Sequence, residues 1–166
     1  MKSILISIKP KYCELIAKGE KTIEVRKSMP KLKTPFKCYI YMTKSNLVGD
    51  RKAYKDRLAG KVIGEFVCDK IDRIVHSGTS NENIRLCFFD YDWTHRPLSN
   101  EYLYQTQLTY AELEKYSNGG NLYGWHISKL KIYAEPKRLR EFWHCGVKLG
   151  ARVSRPPQSW FYVEEV

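Results

Sequence analysis

Alternating apolar and polar positions occur in several short runs along the chain, and each such run predicts a β-strand. The predicted strands cover residues 4–8, 22–26, 38–43, 61–71, 123–133 and 160–163. In the second strand, Ile23 and Val25 point to one side, and the polar residues point to the other. Those polar residues are Thr22, Glu24 and Arg26. This strand is therefore predicted to be half buried, with a polar face that carries groups able to do chemistry.

Helix signals appear at three places between the strands. Pro10 begins the first helix, because its fixed φ suits the first turn, and Gly19 ends it. Thr109 and Glu112 form a T-x-x-E capping box that begins a second helix. Pro136 is predicted to start a last short helix. The apolar side of that helix comprises Leu139, Phe142 and Trp143.

The order of these elements predicts the fold class. The strands do not alternate regularly with helices, which argues against a doubly wound parallel sheet. We therefore expect a mostly β protein of the α+β class: a small, mostly antiparallel barrel or curled sheet with helices over its ends. Residues 50–58 are predicted to form a loop with a short helix, and residues 76–100 are rich in turn signals. With no repeat or linker, residues 1–166 are predicted to form a single domain.

The charge is distributed very unevenly along the chain. The formal net charge is +11, and the whole surplus lies in residues 1–61, which contain 16 basic and 5 acidic residues. Residues 62–166 contain 13 of each sign. A localised basic surface favours anionic partners, above all nucleic acid or nucleotides.

Composition excludes several other classes. With 43% hydrophobic and 28% charged residues, the chain is typical of a globular protein. No apolar run approaches the roughly 20 residues that span a bilayer, so we expect no membrane association and a cytoplasmic location. The five cysteines are widely spaced, without a CxxC pair, and are expected to be small buried hydrophobic residues. No ligand spacing typical of a metal site occurs, and we predict neither a metal nor a cofactor.

Three segments together resemble the ASCH domain family, in its bacterial and phage-type form. Residues 7–26 resemble its opening signature, in which a helix leads into a G-x-K-x-x-E-x-R element; Gly19, Lys21, Glu24 and Arg26 match it. Residues 60–66 resemble the following barrel strand, and residues 155–163 resemble a C-terminal signature. The resemblance implies a PUA-like fold: a small β-barrel with helices at the rim and a cleft associated with RNA or nucleotides.

The matched motif and its surroundings supply the candidate site residues. Lys21, Glu24 and Glu65 are the candidate catalytic residues, because a buried lysine can act as a base and a carboxylate can move a proton. Glu65 alternates in phase with apolar residues, so it is expected to meet a cation such as Lys21 or Arg26, or to tilt towards solvent. The candidate nucleic-acid-binding residues are Lys9, Lys11, Arg26, Lys27, Tyr41, Gln158, Ser159 and Trp160.

Three functions remain open from the sequence. The first is a binding module that holds RNA or a nucleotide, with lysines on the phosphates and aromatic rings on the bases. The second is a hydrolase that acts on an N-acylated nucleoside or on RNA. The amidohydrolase branch of the family has a threonine where this chain has Glu24, and its catalytic glutamate falls near Gln105 and Thr106 here, so that triad is not intact. The third is a protein–protein adaptor. Without the family resemblance, Glu24 and Arg26 would be interpreted as an ordinary surface ion pair with no role in function.

Overall fold

A computed structural model of the chain describes residues 1–44, 57–77, 85–89, 95–146 and 150–166. The described strands are β1 (Lys2–Ile8), β2 (Ile23–Arg26), β3 (Phe36–Met42), β4 (Val62–Ser77), β5 (Arg85–Phe89), β6 (His95–Pro97), β7 (Leu122–Lys137) and β8 (Trp160–Glu164). The α-helices are α1 (Pro10–Ala17), α2 (Asn100–Thr106) and α3 (Tyr110–Ser117), and a 3-10 turn spans Leu139–Glu141. The protein is thus mostly β with flanking helices, as the sequence predicted.

The strands form one mixed sheet. Its order is β2-β7-β4-β3-β1-β8, and β5 extends it from β4 to β6. The described pairs are antiparallel except that β1 and β3 run parallel. The pairing leaves β2 and β8 at the two ends of the path, so the strands described do not close into the expected barrel. The sheet is instead curled: side chains of Arg26 on β2 reach Ser159 next to β8.

The sequence-based strands are confirmed, although two of them are longer than predicted. β4 continues to Ser77, and β7 continues to Lys137. β7 pairs with β4 as far as Lys137 opposite Val62, so Pro136 lies at the end of a strand. The helix predicted here is therefore wrong in its start and type: strand pairing holds Pro136 extended, and a short 3-10 turn follows only at Leu139–Glu141. The loop predicted over residues 50–58 lies mostly outside the described residues.

Local sequence signals place the helix ends correctly. Pro10 occupies the first turn of α1, and Gly19 follows that helix with a φ of 75°. The positive φ explains a glycine at this position. α3 begins at the complete Thr109–Glu112 capping box and ends at Asn118 in the left-handed conformation. These ends position the loop between α1 and β2, where the matched motif lies.

The sheet buries both of its faces. Alternate residues of β1 and β3 enter two different clusters: Ile6 and Ile40 pack with α1, whereas Leu5 and Tyr39 pack on the other side. A third cluster packs α2 and α3 against β2 and β7. All four residues of β2 are buried, so its predicted half-exposed polar face is wrong. Its polar side chains lie inside the protein.

Candidate functional site: a buried charge cluster at the edge of the sheet

The segment that joins α1 to β2 is fixed by backbone hydrogen bonds. The amides of Glu20 and Lys21 donate to the carbonyl of Leu15, at 2.9 and 3.1 Å. The amide of Thr22 donates to Gln105 at the end of α2, at 3.0 Å. Because α1 and α2 both hold this turn, the Lys21 side chain enters the protein at a defined place.

Lys21 is one of the most deeply buried side chains, with 2% of its surface exposed. Its Nζ atom donates to the carbonyls of Ile23, at 2.9 Å, and Thr106, at 2.5 Å. The same atom lies 3.4 Å from Oε2 of Glu24 and 5.0 Å from the ring centre of Tyr12. Lys21 therefore joins the start of β2, the end of α2 and α1.

Glu24 lies between two cations. Its Oε1 contacts Nη2 of Arg26 at 2.9 Å, and both side chains are buried. The same Nη2 atom donates to the carbonyl of Ser7 at 2.6 Å, and Nη1 of Arg26 donates to Oγ of Ser159 at 3.4 Å. We call Lys21, Glu24 and Arg26 the charge cluster. It links β2 to β1 and to the residue that precedes β8.

Burial sets the electrostatics of the cluster. Loss of solvent lowers the pKa of Lys21; Glu24 opposes that shift and Arg26 adds to it. Two cationic side chains share one carboxylate, so the cluster is not neutral when Lys21 is protonated. A buried lysine with a lowered pKa is a group that can change its protonation state in a reaction or on binding.

Glu65 lies apart from this cluster. Its Oε2 accepts a short hydrogen bond from the hydroxyl of Tyr133, and its Oε1 lies 3.9 Å from Nζ of Lys37. The cation that it meets is thus Lys37, not Lys21 or Arg26. Lys37 also pairs with Glu165 at 2.9 Å. The structure therefore does not bring Glu65 together with Lys21.

Tyr41 is also placed away from the charge cluster. It is buried together with Tyr39 and Phe142 in the cluster of side chains on the opposite face of β3 from Ile40. Its ring is not available as a stacking surface beside Arg26 because the strand alternation turns it to the other side. The sequence reasoning could not decide which face of β3 would meet the site.

The C-terminal candidates approach the charge cluster. Ser159 accepts from Arg26 through its hydroxyl and accepts from the amide of Ser7 through its carbonyl, at 2.9 Å. Trp160 is partly exposed; its ring centre lies 5.8 Å from that of Trp125, and its Nε1 donates to Oγ of Ser28 at 3.1 Å. Gln158 is exposed. The order Gln158-Ser159-Trp160 thus runs from the surface towards the buried charges.

Exposed lysines lie on both sides of the cluster in sequence. Lys9, Lys11 and Lys27 are all exposed. Nζ of Lys11 lies 5.5 Å from the ring centre of Tyr12, and Nζ of Lys27 lies 5.1 Å from that of Tyr116. Tyr116 therefore lies next to the residue that follows β2.

Several residues of the site escaped the sequence reasoning. Tyr12 lies in the first predicted helix and Trp125 in the strand predicted over 123–133, and neither was a candidate site residue. Thr106 contributes only a backbone carbonyl, which no side-chain motif can indicate. Tyr116 on α3 carries no local signal that would connect it with Lys27. These residues join the site through contacts between elements that are distant in sequence.

The other reactive side chains are those that could ligate a metal and the cysteine thiols. Among those residues, no group of three His, Cys, Asp or Glu side chains could hold a metal ion. All five cysteines are free thiols, and burial raises the pKa of Cys13, beside the charge cluster. No helix within the described ranges is long and apolar enough to cross a membrane.

Comparison with known proteins identifies the family. The family model described as "ASCH domain" matches residues 6–132, which include α1, the charge cluster and most of β7. The chain therefore belongs to the ASCH domain family. A search of curated proteins found no match.

Solved structures of an ASCH protein from Zymomonas mobilis share the fold. One matches with a TM-score of 0.61 and 18% sequence identity, and the match covers 98% of this chain and 88% of that chain. A tyrosine-to-phenylalanine variant matches with a TM-score of 0.61 and 18% identity, over 99% and 92% of the two chains. A serine-to-alanine variant gives a TM-score of 0.60 and 18% identity, over 98% and 89%.

Proposed function

We propose that this protein binds RNA or a nucleotide, with the charge cluster at the recognition centre and Lys9, Lys11 and Lys27 on the phosphates. The observation that carries this proposal is the burial of two cations with one carboxylate beside exposed lysines. The membership of the ASCH family supports it, because that family is associated with RNA binding.

The energetics of the charge cluster favour a functional role. Removing charged groups from water is costly, and apolar residues of similar volume would often stabilise the same place as well or better. The positive excess of the cluster suits an anionic ligand. Ser159 contacts Arg26, and Trp160 packs on Trp125, so a hydroxyl and an aromatic ring lie beside the cluster, and both are suited to contact with a base.

The lysines beside the cluster are suited to a phosphate backbone. Lys11 and Lys27 each lie over a tyrosine ring, so a cation and a flat aromatic surface occur together at two places. Single-stranded nucleic acids are commonly held by this combination of basic groups and rings. We therefore expect single-stranded RNA to be a better ligand than a duplex.

Replacing Lys11 and Lys27 by glutamine is expected to weaken binding of a single-stranded RNA of mixed sequence. Each lost phosphate contact is expected to reduce the slope of log affinity against log salt by about one. Fluorescence anisotropy over a range of salt concentrations measures both quantities. Lys131→Gln is the matched control, because Lys131 is an exposed lysine on the part of β7 that pairs with Glu65, away from β2.

The result for the unaltered protein decides the proposal. Absence of RNA binding at low salt, or an affinity that does not change with salt, would contradict nucleic-acid binding. An equal loss of affinity in Lys131→Gln would show that the charge acts diffusely, without contacts at Lys11 and Lys27.

A second candidate function is hydrolysis of an N-acylated nucleoside. The lowered pKa of the buried Lys21 amine and its 3.4 Å distance from Glu24 favour it. A neutral Lys21 would accept a proton from water, and the hydroxide would attack the amide carbon. Glu24 would relay that proton from Lys21 to the leaving amine as the C–N bond breaks, so that Lys21 returns to its neutral form. Glu65 is the weaker carboxylate candidate because it pairs with Lys37.

Turnover of N-acylated cytidine by the unaltered protein and by Lys21→Ala tests this second function. If Lys21 is the base, the rate is expected to fall by a factor of about 100 or more. Lys18→Ala is the control, since Lys18 is exposed at the end of α1, and circular dichroism verifies that each variant is folded. Equal background rates in all three proteins would exclude the deacylase.

The remaining interpretations stay predictions. A protein partner that binds the basic surface, a phage-type origin and a cytoplasmic location have no further support in the contacts described above. The RNA-binding measurement separates the adaptor from the first proposal, because an adaptor for an acidic protein need not bind RNA in a salt-dependent way.

A further inference from the structure

Three buried polar atoms at or beside the charge cluster lack a hydrogen-bond partner among the described residues: Oε2 of Glu24, Nε of Arg26 and Nε1 of Trp125. Nζ of Lys21 forms a longer ion pair with the glutamate atom, at 3.4 Å. Unpaired buried polar groups are rare in native proteins and unfavourable. Their concentration at one place indicates that something else pairs with them.

The arrangement of the three atoms follows from the sheet. Glu24 on β2 lies directly opposite Trp125 on β7, and Arg26 follows two residues later on the same face of β2. Glu24 therefore occupies the middle position, with one neighbour across the strands and one along the strand. The nitrogen atoms of Arg26 and Trp125 are donors, and the carboxylate is an acceptor. In the order Trp125, Glu24, Arg26, the unpaired groups on this face are therefore a donor, an acceptor and a donor.

Lys21 makes only one long contact with this pattern. Its amine donates to the carbonyls of Ile23 and Thr106, and the third N–H of its protonated form lies towards Oε2 of Glu24 at 3.4 Å, which leaves the second lone pair of that oxygen free. Oε1 of Glu24 is likewise occupied by Arg26, at 2.9 Å. One carboxylate atom is thus left to accept a single N–H group, and each of the two unpaired nitrogen atoms is left to donate to one acceptor.

A base that pairs with all three groups must present an edge with the order acceptor, donor, acceptor. The imide edge of uracil has this order, because its N3–H lies between two carbonyl oxygens. Cytosine presents two adjacent acceptors followed by an amino group, and guanine presents one carbonyl beside two adjacent donors. Adenine has no carbonyl oxygen. Each of the other three bases would therefore leave at least one buried group of the protein or the base unpaired.

Trp160 is the side chain whose movement would give a base access to these atoms. All three unpaired atoms are shielded from solvent, whereas Trp160 is partly exposed and packs on Trp125 at 5.8 Å. Its indole is held by a hydrogen bond to Ser28, an exposed residue. Displacement of this ring would uncover Trp125 and leave an aromatic face on which a base can stack.

We propose that the site recognises the imide edge of a uracil base, with N3–H donating to Glu24 and the two carbonyl oxygens accepting from Arg26 and Trp125. This inference rests on the proposed binding of RNA or a nucleotide and adds the identity of the base. The base enters beside Trp160, and its phosphates extend towards the exposed Lys27.

Binding of short homopolymeric RNAs to the unaltered protein tests the inference. Oligouridylate is expected to bind about tenfold or more tightly than oligocytidylate or oligoadenylate, which is the effect of leaving one hydrogen bond to a charged group unmade. An oligonucleotide of 3-methyluridine is expected to lose this advantage, because the methyl group replaces the N3 proton. This comparison needs no protein variant. Uridine monophosphate competes with oligouridylate if a single nucleotide fills the site.

The outcomes separate this inference from the function on which it rests. Equal affinity for all homopolymers, preference for another base or an unchanged affinity for the methylated oligomer would overturn uracil recognition and leave RNA binding intact. No binding of any RNA at low salt would overturn both. Glu24→Gln offers a second measurement: if the variant is folded, its preference for uridine is expected to disappear while its salt dependence remains.

Discussion

Replacement of Glu24 by glutamine is expected to lower the free energy of unfolding by about 3–5 kcal/mol, the usual effect of removing one partner from a buried ion pair. The substitution keeps the size of the side chain but leaves Lys21 and Arg26 buried without a counter-charge. Denaturation by urea, followed by tryptophan fluorescence, measures the loss.

Glu20→Gln is the matched control for this substitution. Glu20 lies four residues earlier in the same turn, and its side chain is exposed. Its replacement is expected to change the free energy of unfolding by no more than about 0.5 kcal/mol, as is usual for a surface position. A similar small effect for Glu24→Gln would mean that Glu24 is not the counter-charge that holds the two cations.

Replacement of Trp125 by alanine is expected to have an effect of similar size, about 3–5 kcal/mol, because it leaves a large cavity in the core. Trp125 is fully buried and packs edge-on against Phe36, with ring centres 5.7 Å apart. Its ring also packs against the ring of Trp160, with ring centres 5.8 Å apart. Denaturation measures the stability, and the same variant is expected to bind RNA less tightly if the proposed site is correct.

Trp143→Ala provides the comparison at a tryptophan outside the core. Trp143 is 37% exposed, and its ring contacts the guanidinium group of Arg152 at 4.8 Å. Loss of that cation–π contact is expected to cost about 1 kcal/mol. If both tryptophan variants lost equal stability, the assignment of Trp125 to a tightly packed core position would be wrong.

The local parts of the fold were predictable from the sequence. The T-x-x-E capping box at Thr109 defines a helix start within four residues, and Pro10 and Gly19 define both ends of α1. Six of the eight described strands were also found, because alternation of apolar residues is visible over five or six positions. The sequence did not indicate β5, β6 or α2. The helix expected from Pro136 is only a 3-10 turn at Leu139–Glu141, because pairing with β4 keeps Pro136 extended.

The candidate site was predictable only in part. The resemblance at residues 19–26 indicated Lys21, Glu24 and Arg26, and the structure brings these three together. Glu65 and Tyr41 were chosen by strand alternation alone. That pattern indicates which residues share a face, but not which face meets a helix or another strand. Both residues therefore proved to lie away from the charge cluster.

The helix caps, most of the strands, the basic first third of the chain and the residues of the motif follow from the sequence alone, because each depends on neighbours within a few positions. The burial of Lys21 against Thr106, 85 residues away, and the contact of Arg26 with Ser159, 133 residues away, arise only in the folded chain. Such contacts depend on the register of distant strands and the curl of the sheet. The physical reason is that side-chain burial and pairing are properties of the packed chain, whereas propensity and capping are properties of a short segment.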